Sequence, residues 1–298
     1  MKRTIFVAVV VLAVGFMVVS CANSAKDFTF ETEGDEAIIT GYKGSSLKPV
    51  IPSKLNGRKV TIIDYAAFKN KGLSAVTIPN TVTTIGSSAF MDNKLTKVTI
   101  PNSVITIEGG AFAKNQLTSV TIPNSVITIG GGAFAMNQLT SVNIPNSITT
   151  LTGFNENQLT SLTISNSTTV IGIEAFNDNQ LTSVTIPDSV TEVVDYAFAN
   201  NQLTTITIPD SVTEVGSYAF ANNQLTSITI PDSVTRVGLH AFANNQLTSI
   251  TIGANVLLIR QADASRLEFE NVYDNNGRKA GTYTRPDTNS TSWTVKFK

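Results

Sequence analysis

Residues 117–138 read LTSVTIPNSVITIGGGAFAMNQ, and the same phrase returns with small changes along most of the chain. Leucines fall at 73, 95, 117, 139, 159, 181, 203, 225 and 247. The step is 22 residues, except for one step of 20 between Leu139 and Leu159. Residues 198–213 and 220–235 differ only at Thr205 against Ser227. A fixed period in this range specifies stacked coils, each one supersecondary unit that cannot cover its own apolar side.

Each slot of the period has a physical task. In Leu117–Ile122 the alternation turns Val120 and Ile122 inward and Ser119 and Thr121 outward, which predicts a strand. Pro123 has no N–H to give to a ladder, so the strand should stop there. Asn124 and Ser125 supply turn chemistry. Val126, Ile129, Ala133 and Phe134 return to the core through a segment too short for a helix, which predicts a turn or 3₁₀ piece. Asn recurs two places before each repeat leucine from Leu95 onward, at 93, 115, 137, 157, 179, 201, 223 and 245. A polar residue fixed among apolar ones needs partners, and a ladder of amides bonded to loop backbone in successive coils supplies them. The Gly that follows Ile129 recurs as Gly86, Gly172, Gly216 and Gly238, but Glu108 and Val194 also occupy its slot. A β-branched residue there argues against an obligatory positive φ.

The motif resembles the leucine-rich repeat, with LTSVTI standing as LxxLxL. It is more closely similar to the BspA-like (Treponema-type) bacterial leucine-rich repeats, through IPNSVITIGGGAF and IPDSVTEVGSYAF. The resemblance runs from residue 31 to the C-terminus. AIITGYKGSSLKPVIPSKLNGRKVTIIDYAAF matches that family's N-terminal cap and NNGRKAGTYTR a recurrent C-terminal piece. It implies a mostly β, right-handed leucine-rich-repeat solenoid with a parallel sheet of about nine strands, short turns or 3₁₀ pieces on the return side, and a cap at each end. It also implies a surface or secreted protein, in some members an adhesin.

The organisation expected is a signal peptide at 1–20, a lipidated Cys and linker at 21–30, an N-terminal cap and first coil at 31–72, repeats at 73–252 and a C-terminal cap at 253–298. Lys2 and Arg3 precede an apolar run from Ile5 to Val19, shorter than the ~20 residues of a bilayer span. Cys21, the only cysteine, follows directly, as in the lipobox of bacterial lipoproteins. Residues 253–298 break the period and read as short antiparallel strands, with a turn at Asp274-Asn275-Asn276-Gly277 and with Trp293, the only Trp, as the plug.

Charged residues make up 14% of the chain and the formal charge is −1. Removing the first 20 residues leaves 19 basic against 22 acidic side chains, so no basic footprint for nucleic acid exists. One His and one Cys exclude a disulfide framework and a Cys/His zinc site. No catalytic constellation is present, and Gly109-Gly110 and Gly130-Gly131-Gly132 do not lead from a strand into a long helix as a phosphate loop would. The expectation is a non-enzyme without cofactor or metal.

Three columns are candidates for contact. The outward strand face carries Ser119, Thr121, Ser141, Ser161, Thr163, Ser183, Thr185, Thr205, Thr207, Ser227 and Thr229. The second column is Tyr196, Tyr218 and His240 on the return side. The third replaces Asn80, Asn102, Asn124, Asn146 and Asn166 by Asp188, Asp210 and Asp232, which turn chemistry explains and Ca²⁺ would also fit. The functional expectation is an exported, membrane-anchored lipoprotein at the cell surface or outer membrane. Its outward face binds a protein or glycan, and it has no nucleic-acid partner. A passive surface spacer and a periplasmic envelope scaffold are the alternatives. The short coil Leu139–Gln158 is expected to dent or bend the stack.

Overall fold

A coil of this repeat must hide Leu, Val, Ile, Ala and Phe, and it has no second layer of its own to hide them against. In the computed structural model, which describes residues 25–259 and 268–298, the coils stack and cover one another. Leu117, Ile122, Val126, Ile129, Ala133 and Phe134 are buried, and so are Leu203, Ile208, Val212, Val215, Ala219 and Phe220 four coils on. Val120 is half-buried against the same core, while Ser119 and Thr121 are exposed. Burying each large side chain is worth roughly 1.5–3 kcal/mol, so the core is built almost entirely between coils. The fold is mostly β, with parallel strands stacked as a solenoid.

Parallel strands lie on two sides of the coil. On the leucine side Ser141–Asn143 pairs with Ser161–Thr163, and Ser227–Ile230 with Ser249–Ile252. The longer ladders lie in the return segment. Arg58–Ile63, Thr84–Ile85, Thr106–Ile107 and Thr128–Ile129 pair in sequence. A second series runs through Thr150–Leu151, Val170–Ile171, Glu192–Val193, Glu214–Val215, Arg236–Val237 and Leu257–Leu258. The return side is therefore turns plus a two-residue strand, and the one 3₁₀ helix among the described residues is Ala25–Asp27. The strand forms because Thr128 and Ile129 are β-branched and alternate outward and inward, which suits an extended backbone.

Around each Phe the chain reverses between two residues of positive φ. Tyr196 (59°) and Asn200 (55°) flank Ala-Phe-Ala in one coil, and Tyr218 and Asn222 do so in the next. The recurring Gly two residues earlier is not left-handed. Gly216 is required because a Cβ there would lie 2.4 Å from Asp195 N of the preceding coil. Close approach of coils, not backbone freedom, explains Gly86, Gly130, Gly216 and Gly238, while Glu108 and Val194 take the same slot in coils whose neighbours leave room for a side chain.

The rings stack along the axis from Phe68 to Phe242, with centroid spacings between 5.0 and 6.0 Å. Beside them runs the asparagine ladder. Asn115 Oδ1 accepts from Leu95 N at 3.0 Å, and its Nδ2 donates to Phe90 O of the preceding coil at 2.9 Å and to Phe112 O of its own at 3.0 Å. Asn137, Asn157, Asn179, Asn201, Asn223 and Asn245 repeat the arrangement. Each amide thus satisfies buried backbone groups of two coils at once.

At the start, the antiparallel hairpin Phe28–Glu33 and Glu36–Tyr42 lies on Arg58–Ile63 and closes the core. At the finish, Gly281–Thr284 and Thr294–Phe297 extend the sheet of Ser249–Ile252 antiparallel. The C-terminal cap also contains a helix, Glu268–Asn275, so a reading of strands alone was incomplete. Phe269 and Tyr273 are four apart and share the buried helix face. Asp274 and Asn275 belong to that helix, and Asn276 and Gly277 turn out of it. The plug is Tyr273 and Tyr283, both fully buried, whereas Trp293 is half-buried and stands edge-on to Phe269 at 5.5 Å.

Candidate functional site

The outward position of every second residue places the hydroxyl columns in solvent. Ser141, Ser161, Thr163, Ser227 and Thr229 lie in strands, whereas the predicted strand at Leu117–Ile122 and the equivalent stretches around Ser183–Thr185 and Thr205–Thr207 are not paired as strands. Ser119, Thr121, Ser141, Ser161, Thr163, Ser183, Thr185, Thr205, Thr207, Ser227 and Thr229 are all exposed. In paired strands they are in register, Ser141 beside Ser161 and Thr229 beside Thr251. Parallel neighbours stand about 4.8 Å apart, so the face is a regular array of small polar groups. At its far end Thr251 Oγ1 meets Thr282 Oγ1 at 3.0 Å, and the array passes under the cap.

Along one margin this face is hollowed. A depression of ≈ 460 Å³ is lined by Val184, Thr185, Ile186, Asp188, Thr207 and Asp210, among others. The next, of ≈ 560 Å³, takes in Ile206, Thr229, Asp232 and Lys298 and shares Thr207, Ile208 and Asp210 with the first. The two join into one trough over three coils. Its lining mixes Val184, Ile186, Ile206 and Ile208 with Thr185, Thr207, Thr229 and the aspartate column. Lys298 Nζ lies 3.4 Å from Asp232 Oδ1 at one end. The aspartates do not converge: among the described residues no group of three or more His, Cys, Asp and Glu is placed to hold a metal ion. The serines that follow Asp188 and Asp210 have a structural task, since Ser189 Oγ donates to Thr168 O and Ser211 Oγ to Val190 O; the Ser233 hydroxyl after Asp232 is buried without a hydrogen-bond partner.

The aromatic column is a true stack. Tyr196 and Tyr218 are parallel at 4.9 Å, and His240 follows at 5.2 Å, tilted by 52°. All three sit at left-handed positions, which cost non-glycine residues about 1 kcal/mol or more. Elsewhere the same left-handed slot holds Gly110 and Gly132, but also Ala66, Ser88 and Glu174. Tyr196 is 37% exposed, and the other two are half-buried. Beside this column lies an external amide ladder that the sequence reading missed. Asn200 Nδ2 donates to Asn177 Oδ1 at 3.2 Å, Asn222 to Asn200 at 2.6 Å and Asn244 to Asn222 at 2.7 Å. Its signal was present in the doubled Asn of NNQ at 200–201, 222–223 and 244–245. Cys21 and the apolar run before it lie outside the described residues; no helix among those described is long and apolar enough to cross a membrane.

The profile of the BspA type leucine rich repeat region, in six copies, matches residues 50–153 and 151–263. That is more than half of the chain, and the protein belongs to this family. A leucine-rich repeat protein from Bacteroides ovatus is similar in structure, with 24% identity and a TM-score of 0.64 over 78% of this chain and 66% of that one. The chain thus spans just under two thirds of that relative. A Treponema pallidum leucine rich repeat protein has 23% identity and a TM-score of 0.46, over 67% and 88% of the two chains. A leucine rich cell surface protein from Faecalibacterium prausnitzii has 20% identity and a TM-score of 0.41, over 82% and 96%. No curated protein sequence matches the chain. Solenoids of this class are typically non-catalytic, and their repeats suggest a protein-interaction module.

Proposed function

We propose that this protein is an exported, lipid-anchored interaction module that captures a protein or glycan on its outward strand face. The observation that carries the reading is the trough between Thr185, Thr207, Thr229 and the Asp188, Asp210, Asp232 column, set in an otherwise even face of exposed hydroxyls. It combines apolar side chains with polar groups at fixed spacing, which is what fixes the orientation of a ligand in a cleft. Several adjoining coils together offer enough surface for a standard interface of about 800 Å² per partner. The anchor of this reading is Cys21, lipidated after removal of the signal peptide. Adhesin-like display at the cell surface accords with that export signal.

The test is saturable capture of the purified full-length protein by immobilised matrix proteins, glycans and whole bacteria. Thr185→Glu, Thr207→Glu and Thr229→Glu together place three charges along the trough. Capture should weaken at least tenfold, about 1.4 kcal/mol, with an unchanged circular dichroism spectrum. Tyr196→Ala with Tyr218→Ala should have a smaller effect. A folded triple variant that captures as well as the parent would move the site off this face. Cys21→Ala should release the protein from membranes; unchanged retention would remove the anchor from the reading.

A further inference from the structure

Both ends of the stack finish in an antiparallel strand with one edge that no described strand pairs with. These are Phe28–Glu33 at the start and Thr294–Phe297 at the finish. An open edge of this kind is a template for a further strand. The two edges differ in sign. Glu31 and Glu33 are exposed on the first, and Asp35 and Glu36 follow in its turn and partner strand. Arg58 and Lys59 of that sheet sit two strands further in. The second edge carries Lys296, followed by Lys298.

The lengths and patterns also match. A register irregularity between Thr29 and Phe30 leaves Phe30–Glu33 as the regular part of the first edge, and the second is four residues long. Laid antiparallel over those four residues, Glu31 opposes Lys296, Phe30 opposes Phe297, Thr32 opposes Val295 and Glu33 opposes Thr294. Alternation then gathers Glu31, Glu33 and Lys296 on one face and both phenylalanines with Val295 on the other. Phe297 is 46% exposed in the isolated chain and has no sheet neighbour on that side. A parallel alignment would set Glu31 and Glu33 beside Val295 and Phe297 instead. Antiparallel pairing of either edge with its own copy over the same four residues would set Glu33 against Phe30, or Lys296 against Val295, so charged and apolar side chains would share each face and no opposite charges would meet.

We propose that copies of this chain associate head to tail, the Phe30–Glu33 edge of one copy pairing antiparallel with the Thr294–Phe297 edge of the next. Such a contact is heterologous, so it propagates into a chain or closes into a ring. The paired residues Phe30–Glu33 and Thr294–Phe297 belong neither to the hydroxyl columns nor to the trough, of which only Lys298 lies close by, so the proposal does not rest on the ligand-capture reading above.

The experiment is sedimentation and light scattering of the full-length chain over a concentration series, at ~0.01 M and ~1 M salt, where the Debye length falls from ~30 to ~3 Å. The parent should gain mass with concentration at low salt, with at least tenfold weaker association at high salt. Lys296→Glu with Lys298→Glu, and separately Glu31→Lys with Glu33→Lys, should each abolish the salt-dependent association. Mixing the two charge-reversed proteins should restore it, because each then offers the edge that the other requires. All the altered side chains are exposed, and circular dichroism verifies the fold of each variant. A parent of constant monomer mass at low salt overturns the proposal. So do variants that associate as the parent does, or folded variants whose mixture stays monomeric.

Discussion

Across Leu139–Gln158 the interior and the surface of the stack take the same two-residue loss differently. The ring stack passes from Phe134 to Phe154 at 5.4 Å and on to Phe176 at 6.0 Å. The amide ladder passes too, with Leu139 N bonded to Asn157 Oδ1 at 3.1 Å and Asn157 Nδ2 to Phe134 O at 3.0 Å. The return-side ladder instead stops at Thr128–Ile129 and restarts at Thr150–Leu151. The missing residues lie between Leu151 and Phe154, where other coils have a longer link. Backbone ladders need register along every step. Side chains of the spine need only one well-placed ring and amide per coil, and the link can shorten between them. Gly153 takes up the difference, with φ 97° and a path so close to the preceding coil that a Cβ would lie 2.7 Å from Gly130 O. Thr152 Oγ1 fills in for a lost backbone donor by bonding Ile129 O at 2.7 Å.

If the spine is what holds coils together, its removal should hurt most. Phe198→Ala should cost about 3–5 kcal/mol, because the ring is fully buried between Phe176 and Phe220. Asn201→Ala strips the partner from Leu181 N and three donations to Phe176, Phe198 and Ala199 carbonyls. Those carbonyls keep other partners, so the cost should be about 2–4 kcal/mol, most of it from the orphaned amide. Thermal unfolding reads both. Unfolding should begin beside the altered coil and spread, since coupling is between neighbours. A melting temperature unchanged in either variant would mean that the spine is not the holding element.

The spine was also the most legible part of the sequence. Leu, Phe and Asn recur at fixed slots, and buried amides are informative because an unpaired one is so costly. The exposed hydroxyl columns were readable for a simpler reason, since period-two alternation fixes the face of a residue once its neighbour is known to be buried. The return-side ladder was not readable. Its two residues, Thr128 and Ile129, are too few for a strand period, and only pairing with the coils before and after makes them one. The helix Glu268–Asn275 was hidden because its two anchors, Phe269 and Tyr273, occur once and without a repeat to average over. Left-handed backbone at Tyr196 and Tyr218 was invisible because the tertiary turn imposes it against the preference of the residue. The trough beside Asp188 could not be read either, since its walls come from separate coils.

The interruption itself can be sharpened by Gly153→Ala. The substitution adds a methyl against Gly130 O and forces a positive φ on alanine, so about 1–3 kcal/mol should be lost. Inserting two glycines between Thr152 and Gly153 restores the common link length and should let the ladder run through. Hydrogen exchange then measures the difference. In the parent, amides at Thr149–Thr152 should exchange faster than those at Thr213–Gly216, whose counterparts are paired on both sides. Equal protection in the parent would show that the break in pairing has no energetic meaning.

The smallest effect concerns the end of the stack rather than its middle. Tyr273 and Tyr283 both have phenol pKa values raised above the ordinary 10.0. For each, burial is the main cause; for Tyr273 it is opposed by the hydrogen bond from Val256 N and by Arg278, and for Tyr283 it is reinforced by Tyr273. Below the unfolded value near pH ~10, both states hold their protons and cap stability is complete. As pH rises from there toward the folded values, the unfolded chain releases protons first, and the cap loses stability. The repeat coils bury no tyrosine among their described residues, since Tyr196 and Tyr218 lie at the surface. Trp293 sits on Phe269 beside both phenols and is the only Trp, so its emission reports the cap alone. Its emission should shift at a lower alkaline pH than the far-ultraviolet circular dichroism of the stack. Tyr283→Phe keeps the ring, removes one titrating group and gives up the hydrogen bond to Lys279 O, 3.1 Å in the parent. Measured from its own neutral baseline, that variant should move the Trp293 transition to higher pH. Coincident transitions of Trp293 and the stack would instead make cap and coils one cooperative unit.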